Sequence, residues 1–364
     1  MDAEDSALVR LVDQVNGARA GREALDIRGG NTKRFYGEAA IGAPIDTTAL
    51  SGISSYEPTE LVVTARAGTR LSELEAALEE KGQCLPFEPP RFGADSTVGG
   101  MVAAGLSGPA RASAGSVRDH VLGLTVLNGR GEVLTFGGQV AKNVAGYDVS
   151  RLMVGSLGIL GLICEVSLKV LPISVTTATL SFDWDEHRAL EQLRNWARHP
   201  LPINASAWHA GQLHVRLAGA RAAVAAACEK LGGERMESAR AKQWWTGVRD
   251  QSDEFFLLDD ASFARGESLW RLSVPAISGP IELPGKQLIE WNGAQRWCRT
   301  AAEAALIRKV AAGVSGHATL MRGADKTPGV FSPLNEVLMR VHHQLKTAFD
   351  PARIFNPGRL YAGL

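Results

Sequence analysis

Five glycine-rich turns lie in the first half of the chain, and they restrict its fold more than any other feature of the sequence. They read IRGGNTK (27–33), DSTVGGMVAAGLSG (95–108), GSVRD (115–119), KNVAGYD (142–148) and GSLGILG (155–161). Small residues let the main chain approach a ligand closely, and consecutive amide groups in such turns can hold an anion. The pattern predicts either a long anionic ligand with the shape of a dinucleotide or strands that simply pack tightly in an α+β domain.

The first of these turns has two possible roles. Gly29 and Gly30 can adopt positive φ at little cost, and Arg28 and Lys33 add positive charge. Such a loop can cradle a phosphate. Gly-Gly-Asn is also an ordinary turn, however, and the loop by itself favours a simple change of chain direction.

Two common nucleotide-binding motifs are missing from the sequence. None of the five turns ends in the G-K-[ST] of a P-loop. None is a G-x-G-x-x-G that opens a helix directly after a strand. The sequence therefore does not predict a Rossmann-type site.

Composition and charge argue against several classes of protein. Lys plus Arg (39) equals Asp plus Glu (39) and no basic run occurs, so nothing supports nucleic-acid binding. The four cysteines are far apart and form no C-x-x-C motif, so we expect no iron–sulfur or zinc framework and a reducing cytoplasm. The N-terminus lacks the layout of a signal peptide, and the most apolar stretch, 152–164, is too short to cross a bilayer. Any membrane association would come through a partner.

Two helices are predicted from their caps and their apolar spacing. Residues 69–81 have an apolar face and a possible capping box of Ser72 and Glu75. The last helix is predicted to start with Ser332 as N-cap and Pro333 at the first helical position. Its predicted buried face consists of Leu334, Val337, Leu338, Val341, Leu345 and Phe349.

Two strand patterns stand out in the first half. Asn128-Gly129 lies between two strand-like runs and predicts a hairpin. Apolar residues alternate with others from Leu160 to Val170, which predicts a half-buried strand that ends before Pro172. From about residue 176 the chain is richer in Trp and Ala, which predicts a separate α+β domain.

The order of these motifs resembles the FAD-binding domain of the vanillyl-alcohol-oxidase/PCMH flavoproteins. The segments that carry the resemblance are RGGNTK, ELVVTARAGTRLSELEAALEEKGQCLPFEPP, DSTVGGMVAAGLSGPAR, SVRDHVLG, KNVAGYD and GSLGILG. The C-terminal segment FDPARIFNPGRLY resembles the closing loop of FAD-linked 2-hydroxy-acid dehydrogenases. More narrowly, three later segments, SLWRLSVP, KQLIEWNGAQRW and SGHATLMRG, resemble the FAD-binding subunits of bacterial glycolate oxidase. The resemblance covers the whole chain.

The resemblance implies a fold of three parts. Residues 1–175 would form a two-lobed PCMH-type FAD-binding domain of α+β class. Residues 176–320 would form a smaller α+β cap domain of the kind that binds substrate. Residues 321–364 would form a helix and a tail that return to the FAD domain.

The resemblance also implies a set of FAD-binding residues. The phosphates would be flanked by Arg28, Gly29, Gly30, Asn31, Thr32 and Lys33 and by Ser96, Thr97, Val98, Gly99 and Gly100. The flavin side would be lined by Gly105, Gly115, Ser116, Arg118 and Asp119. The adenosine half would lie near Gly158, Ile159, Gly161 and Ile163, and Asn356 would approach the isoalloxazine ring. Some relatives attach FAD through a His in the first loop; Asn31 occupies that neighbourhood here, so we expect non-covalent FAD.

The sequence departs from its relatives where substrate chemistry is expected. Related dehydrogenase subunits carry G-S-E-G-T-L-G, whereas this chain has Leu157 and Ile159 at the Glu and Thr positions. Many also carry an H-x-G-D-G-N-x-H element for metal or substrate carboxylate, and the nearest candidate here is the segment around His317. Oxidation of a 2-hydroxy acid needs a base and a cation, and the sequence identifies no catalytic residue and no metal site.

Several single residues have competing explanations. His317 and Arg322 could bind a substrate carboxylate, although the ordering of a loop is favoured. His342-His343 suits a surface or interface pair better than a metal site. The Trp pairs 244/245 and 291/297 could stack on flavin or form a partner surface, but core packing is favoured, with an interface second. Tyr147-Asp148 could act as an acid/base pair near flavin, but a role in orienting its own loop is favoured.

The resemblance implies an FAD subunit of a glycolate dehydrogenase complex. Glycolate would be oxidised to glyoxylate mainly on a sister FAD subunit that has the substrate and metal motif. Electrons would leave through an iron–sulfur partner toward quinone. The complex would be cytoplasmic or peripheral at the inner membrane through partners. The alternatives are a free-standing dehydrogenase for a small 2-hydroxy acid, a structural subunit without FAD, and an NADPH-dependent enolpyruvyl-reductase-like enzyme.

Overall fold

Two large sheets organise the chain. The computed structural model describes residues 3–138 and 148–364. The helices are α1 (Ala3–Gly21), α2 (Leu71–Glu80), α3 (Val98–Ala104), α4 (Arg111–Ala114), α5 (Val117–His120), α6 (Val149–Met153), α7 (Glu186–Trp196), α8 (Arg221–Leu231), α9 (Ser238–Asp250), α10 (Asp260–Ala264), α11 (Ala304–Gly313) and α12 (Glu336–Phe349), with 3-10 turns at Glu254–Phe256 and Trp291–Gly293.

The strands follow the same chain order. They are β1 (Leu25–Arg28), β2 (Ala43–Asp46), β3 (Ile53–Glu57), β4 (Val62–Arg66), β5 (Gln83–Cys84), β6 (Val121–Leu127), β7 (Val133–Gly137), β8 (Leu162–Lys169), β9 (Leu171–Pro172), β10 (Thr176–Asp183), β11 (Ile203–His209), β12 (Gln212–Gly219), β13 (Glu234–Arg235), β14 (Ser268–Ser273), β15 (Lys286–Glu290), β16 (Gln295–Thr300) and β17 (His317–Arg322). Helix and strand segments are mixed, and the predicted α+β class is confirmed.

The two large sheets use different parts of the chain. The first has five strands in the order β3-β4-β8-β6-β7, and the second has eight in the order β13-β10-β12-β11-β15-β16-β14-β17. Two small sheets pair β1 with β2 in parallel and β5 with β9. Below, the part of the chain before β10 is called the FAD-type domain and the eight-stranded sheet with its helices the cap; the predicted three-part division itself stays a prediction.

Strand β8 is the central strand of the first sheet. The predicted strand exists, but the prediction that it is half-buried is wrong. It pairs with β4 on one side and β6 on the other, and most of its side chains are buried. Leu162 and Cys164 pack with α1 and β1, whereas Val166 and Leu168 pack with α2 and α3. A register shift against β6 at Thr125/Val126 moves the apolar positions from one face to the other, as a β-bulge does.

The predicted hairpin exists with a longer turn than Asn-Gly alone would make. Strands β6 and β7 pair in antiparallel fashion on either side of residues 128–132. The Asn128 side chain accepts from the amides of Arg130 and Glu132, which stabilises a five-residue loop. Helix α2 also differs from its prediction, because its N-cap is Arg70 and Ser72 lies inside the helix, so no capping box forms.

The predicted buried face of the last helix is confirmed at Leu345 and Phe349, which pack against the core, and is wrong for its N-terminal half. Helix α12 starts later than predicted, with Asn335 as N-cap accepting from the Leu338 amide at 2.9 Å. Val337, Leu338 and Val341 are 58%, 46% and 44% exposed, whereas Lys346 on the same helix is fully buried. The apolar stripe of Val337, Leu338 and Val341 therefore faces solvent in the isolated chain. Within the described residues, no helix is both long and apolar enough to cross a membrane.

Candidate functional site

The loop after β1 opens into a cleft in the FAD-type domain. The cleft measures about 840 Å³ with its open mouth and is lined by several separate segments. It gathers many of the residues predicted to bind FAD: Arg28, Gly29, Gly30, Asn31, Thr32, Lys33, Thr97, Gly99, Gly100, Gly158, Gly161, Ile163 and Asn356. A mainly preformed concavity of this size suits a cofactor.

Close packing, rather than positive φ, explains the two glycines of the first loop. A Cβ on Gly30 would lie 1.5 Å from the carbonyl oxygen of Asp95, and a Cβ on Gly29 would lie 2.5 Å from Thr97 Oγ1. Neither glycine has a φ in the left-handed region, whereas Asn31 has a φ of 56°. Any side chain at Gly30 would push apart the two loops that form this wall.

The amide groups of the first loop are free to bind a ligand. Within the described residues, the backbone N–H groups from Gly29 to Lys33 donate to no protein acceptor. By contrast, the amides of Val98, Gly99 and Gly100 donate to Thr69 O, Ala67 O and Thr97 Oγ1. The first loop therefore offers unpaired hydrogen-bond donors for an anion. The start of α3 forms part of the cleft wall but offers no such donors at these three residues.

Positive charge surrounds this wall of the cleft. Arg28 and Arg34 share the buried carboxylate of Asp26, at 2.8 and 2.9 Å. Arg359 also lines the cleft and donates to the Arg34 and Tyr36 carbonyls. One carboxylate thus faces several guanidinium groups, so a diphosphate would supply the missing negative charge.

Lys33 ties the two phosphate-side loops together. Its ammonium donates to Ser96 Oγ at 2.6 Å and lies 3.5 Å from the Arg91 carbonyl oxygen. Burial lowers the pKa of Lys33 to about 8, and the charge of Asp250 opposes that shift. Ser96 lines a neighbouring cavity rather than the cleft.

Asn356 closes the far end of the cleft. Its Oδ1 accepts from the Ile27 amide at 2.7 Å, and its Nδ2 donates to the Leu157 carbonyl at 2.6 Å. Gly158 packs so closely that a Cβ there would lie 2.7 Å from Asn356 Nδ2. The C-terminal tail, β1 and the GSLGILG turn therefore meet at one amide group.

The structure does not bring every predicted residue to the cleft wall. Val98 and Ile159 are buried in the core. Gly105 ends α3 with a φ of 64° and packs against Gly155. The remaining four predicted residues form a separate capped turn around α5: Gly115, Ser116, Arg118 and Asp119.

That capped turn has its own hydrogen bonds. Asp119 Oδ2 accepts from the Ser116 amide and hydroxyl, both at 2.8 Å, and these bonds hold the pKa of Asp119 below its usual range. Arg118 and Asp119 are exposed. The turn joins the neighbouring loop where Ser107 Oγ accepts from the Val117 amide at 3.2 Å.

A seam between the FAD-type domain and the cap is filled by aromatic residues, including Trp291 and Trp297, for which the sequence favoured core packing. Trp297 and Phe256 from the cap pack with Tyr36 and Leu106 from the FAD-type domain. Trp291 Nε1 donates to the Gly108 carbonyl at 3.0 Å. The seam is therefore filled with aromatic side chains beside the loop that follows α3.

Glu290 is a buried carboxylate at this seam. It is 3% exposed, and its Oε2 accepts from Trp297 Nε1 at 2.6 Å and from Gln295 Nε2 at 2.8 Å. Burial raises the pKa of Glu290 to about 7, against the opposing effect of these two bonds and of Arg271. In the sequence, the only indication of a buried carboxylate here is a glutamate within the otherwise apolar run LIEW. A group that titrates near neutrality can accept or release a proton.

Arg271 brings positive charge to the same seam. Its guanidinium lies 3.3 Å from the Tyr36 hydroxyl and faces the Tyr36 ring at 5.8 Å. Burial is the main cause that lowers the pKa of Arg111 and of His317, and the charge of Arg271 lowers both further. From the sequence, the segment around Arg271 carries only a family resemblance.

The remaining candidates are dispersed. His317 and Arg322 lie at opposite ends of β17, roughly 16 Å apart by the rise of a strand, so they cannot bind one small carboxylate together. Arg322 stacks on Phe35 at 4.6 Å. His342 Nδ1 bonds to the Leu338 carbonyl of its own helix.

The fourth glycine-rich turn is described only at its end. Residues 142–147, with Tyr147, lie outside the described residues. Asp148 caps α6 by accepting from the Arg151 amide at 3.0 Å. In the described ranges, no three His, Cys, Asp or Glu side chains are grouped so that they could hold a metal ion.

Comparison with known proteins identifies the family. Residues 10–137 match the FAD binding domain family, and residues 321–360 match the C-terminal domain of FAD linked oxidases. The chain is 46% identical to glycolate oxidase subunit GlcE of Escherichia coli K12 over 97% of both proteins. It is 35% identical to glycolate oxidase subunit GlcD of Bacillus subtilis over 36% of this chain and 28% of that protein.

A solved structure has the same fold. Alkyldihydroxyacetonephosphate synthase superimposes with a TM-score of 0.64 over 95% of this chain and 74% of that one, at 16% identity. The free amides, the glycine wall and the guanidinium groups of the cleft fit an FAD diphosphate, so the predicted cofactor agrees with the geometry. The chain thus belongs to the FAD-linked oxidases of the vanillyl-alcohol-oxidase/PCMH superfamily, a family of FAD-dependent oxidoreductases.

Proposed function

We propose that the chain is the FAD-binding subunit of a multi-subunit glycolate oxidase. The observation that carries this proposal is the 46% identity to a glycolate oxidase subunit over nearly the full length of both proteins. The cleft supports it, because five adjacent unpaired amides and nearby arginines suit the FAD diphosphate. FAD supplies two-electron redox chemistry when it is bound.

In the proposed arrangement the chain holds FAD without a covalent bond. Among the described residues, those that line the cleft include no His, Cys or Tyr side chain, the groups expected to attach a flavin. The loop from Gly29 to Lys33 and Arg28 would bind the diphosphate. Gly158, Gly161 and Ile163 would lie against the adenosine half, and the residues from Gly105 to Asp119 remain candidates for the flavin side.

Glycolate oxidation is proposed to occur mainly on a sister FAD subunit, with an iron–sulfur partner carrying electrons toward quinone. The filled seam supports this division, because Trp297, Phe256 and Leu106 pack together beside the loop after α3, which is proposed to lie on the flavin side. The separation of His317 from Arg322 supports it as well. Association with the membrane would be indirect, through these partners.

The exposed stripe of α12 supports a partner surface. Val337, Leu338 and Val341 lie on one side of an amphipathic helix and are each more than 40% exposed. Grouped apolar side chains on a surface commonly mark protein contacts. We infer that the sister subunit covers this stripe in the complex.

The test is an anaerobic titration of the purified chain. We expect the chain to show an oxidised flavin spectrum that glycolate does not bleach. The same spectrum should bleach when the chain is titrated in the assembled complex. A colourless protein that cannot be reconstituted with FAD would contradict the cofactor role, and an isolated chain that bleaches would move substrate oxidation to this subunit.

A second candidate function is oxidation of glycolate by this chain itself. Glu290 favours it, because a buried carboxylate that titrates near neutrality could accept the hydroxyl proton, and Arg271 lies close enough to influence that group. If the isolated chain bleaches with glycolate, Glu290→Gln should slow the bleaching and remove its dependence on pH near 7. Arg221→Met, on the exposed start of α8, is the matched control.

A further inference from the structure

Helix α12 is held in place by a charged group. Lys346 has no exposed surface, although it lies on the same helix as the exposed stripe. All three of its ammonium donors are used: they bond to Asp350 Oδ2 at 2.8 Å and to the carbonyl oxygens of Ile159 and Phe355, both at 2.7 Å. A buried ammonium with three acceptors fixes three segments at one point.

Asp350 completes this arrangement. It is also fully buried, and its Oδ2 accepts from the Phe355 amide at 2.8 Å while its Oδ1 accepts from the Ile354 amide at 3.2 Å. Gly129 packs so closely that a Cβ there would lie 2.3 Å from Asp350 Oδ1. The pair therefore holds the turn after α12 by both its amide and its carbonyl groups.

Both carbonyl groups belong to residues next to the cleft wall. Ile159 follows Gly158, and Phe355 precedes Asn356; Gly158 and Asn356 line the cleft and touch each other. Asn356 also bonds to the Ile27 amide, next to the start of the phosphate loop. A shift of Lys346 would move both sides of this end of the cleft.

We propose that Lys346 and Asp350 are positioning residues for FAD, which set the spacing between the GSLGILG turn and the C-terminal tail across the far end of the cleft. Neither side chain touches the cofactor in this arrangement. The inference rests on the proposed position of FAD in the cleft. The family likeness does not imply this requirement, in which an ion pair outside the cleft sets the affinity of the cleft for FAD.

The test replaces both charges at once. A single substitution would leave an unpaired buried charge, which destabilises a fold strongly, whereas an apolar pair of similar volume is often tolerated. Here an apolar pair would also leave the carbonyls of Ile159 and Phe355 and the amides bound to Asp350 without partners, so the test uses amide side chains. We expect the double variant Lys346→Gln, Asp350→Asn to fold, to bind FAD about tenfold or more weakly, and to show an altered circular dichroism band of the bound flavin. FAD binding is measured at a temperature well below the unfolding transition of both proteins.

The control is Arg340→Met, an exposed position on the same helix, which should bind FAD like the parent. A folded double variant with the parent's FAD affinity and flavin spectrum would overturn the inference, because the pair would then be only structural. A parent chain that binds no FAD would overturn the proposed function itself, so the two failures are distinguishable.

Hydrogen exchange tests the inference without any substitution, in case the double variant does not fold. FAD should slow exchange at the amides of Ile354 and Phe355, which bond to Asp350, together with the amides of the phosphate loop. Slower exchange confined to the phosphate loop would contradict the coupling between the ion pair and the cofactor site.

Discussion

The cleft and the seam differ in which part of the polypeptide forms their walls. The cleft wall consists of main chain: glycines packed against carbonyl groups, and amides that find no acceptor among the described residues. The seam consists of side chains: aromatic rings, a buried glutamate and an arginine contributed by cap strands and by the FAD-type domain. The cleft can hold an extended anion through its main chain, whatever side chains surround it. The chemistry of the seam depends on which side chains its strands contribute.

This difference separates cofactor binding from substrate chemistry in the molecule. A main-chain wall tolerates few substitutions, because a Cβ has no room to move aside. A side-chain seam can be refilled by residues of similar volume at modest cost. The family fold can therefore keep its FAD cleft while the seam is either a reaction site or a packed interface.

The strongest test of the main-chain wall is Gly30→Ala. The new Cβ would lie 1.5 Å from the Asp95 carbonyl oxygen, so the two loops must separate and FAD binding should be lost. Fluorescence titration with FAD and a thermal unfolding curve measure the effect. Gly17→Ala is the control: nothing lies within 4 Å in α1, and a helical Gly-to-Ala change should stabilise by about 0.5–1 kcal/mol.

The charge of the cleft is tested by Arg28→Met. Loss of a charged hydrogen-bond donor should weaken FAD binding by about 1.5–3 kcal/mol, and the dependence of binding on salt should fall. Arg10→Met on the exposed side of α1 should leave both unchanged. Equal affinity for the parent and Arg28→Met would mean that the amides alone hold the diphosphate.

The seam is tested by Glu290→Gln and pH. The folded pKa of about 7 exceeds the unfolded value of about 4.3, so the fold prefers the protonated acid and loses stability as pH rises between these values. The amide oxygen can keep the bonds from Trp297 and Gln295. We expect the variant to unfold at a higher temperature than the parent at pH 8, and the difference to shrink toward pH 4.5. A difference that does not depend on pH would contradict a raised pKa.

The smallest effect on the isolated chain is expected at the α12 stripe. Val337→Ser with Val341→Ser removes exposed apolar surface, so each change should alter the free energy of unfolding by no more than about 0.5 kcal/mol. Assembly with co-expressed sister subunits should nevertheless weaken, as measured by co-purification. Leu74→Ser, in the core under α2, is the contrasting control that should destabilise the chain. Unchanged assembly would assign the stripe no role in the complex.

Sequence periodicity predicted elements better than it predicted their surroundings. The hairpin at Asn128 follows from local turn chemistry, and helix α2 follows from the apolar face of residues 69–81. The sequence did not predict the burial of β8 and α12 correctly. An apolar pattern indicates which residues share a face, but not which other segments cover that face. The burial of β8 depends on a bulge and on the two layers that cover the strand. On α12 the core covers Leu345 and Phe349, whereas Val337, Leu338 and Val341 stay exposed in the described part of the chain.

The sequence alone determined the glycine-rich order, the α+β class and, through resemblance, the family and its cofactor. Those properties depend on local backbone freedom and on motifs that are close in the chain. Only the tertiary structure decided that Gly29 and Gly30 serve close packing, that Glu290 and Trp297 form a buried pair, and that Lys346 fixes two walls of the cleft. These properties arise between segments up to hundreds of residues apart, where burial sets the energy of each charge and contact.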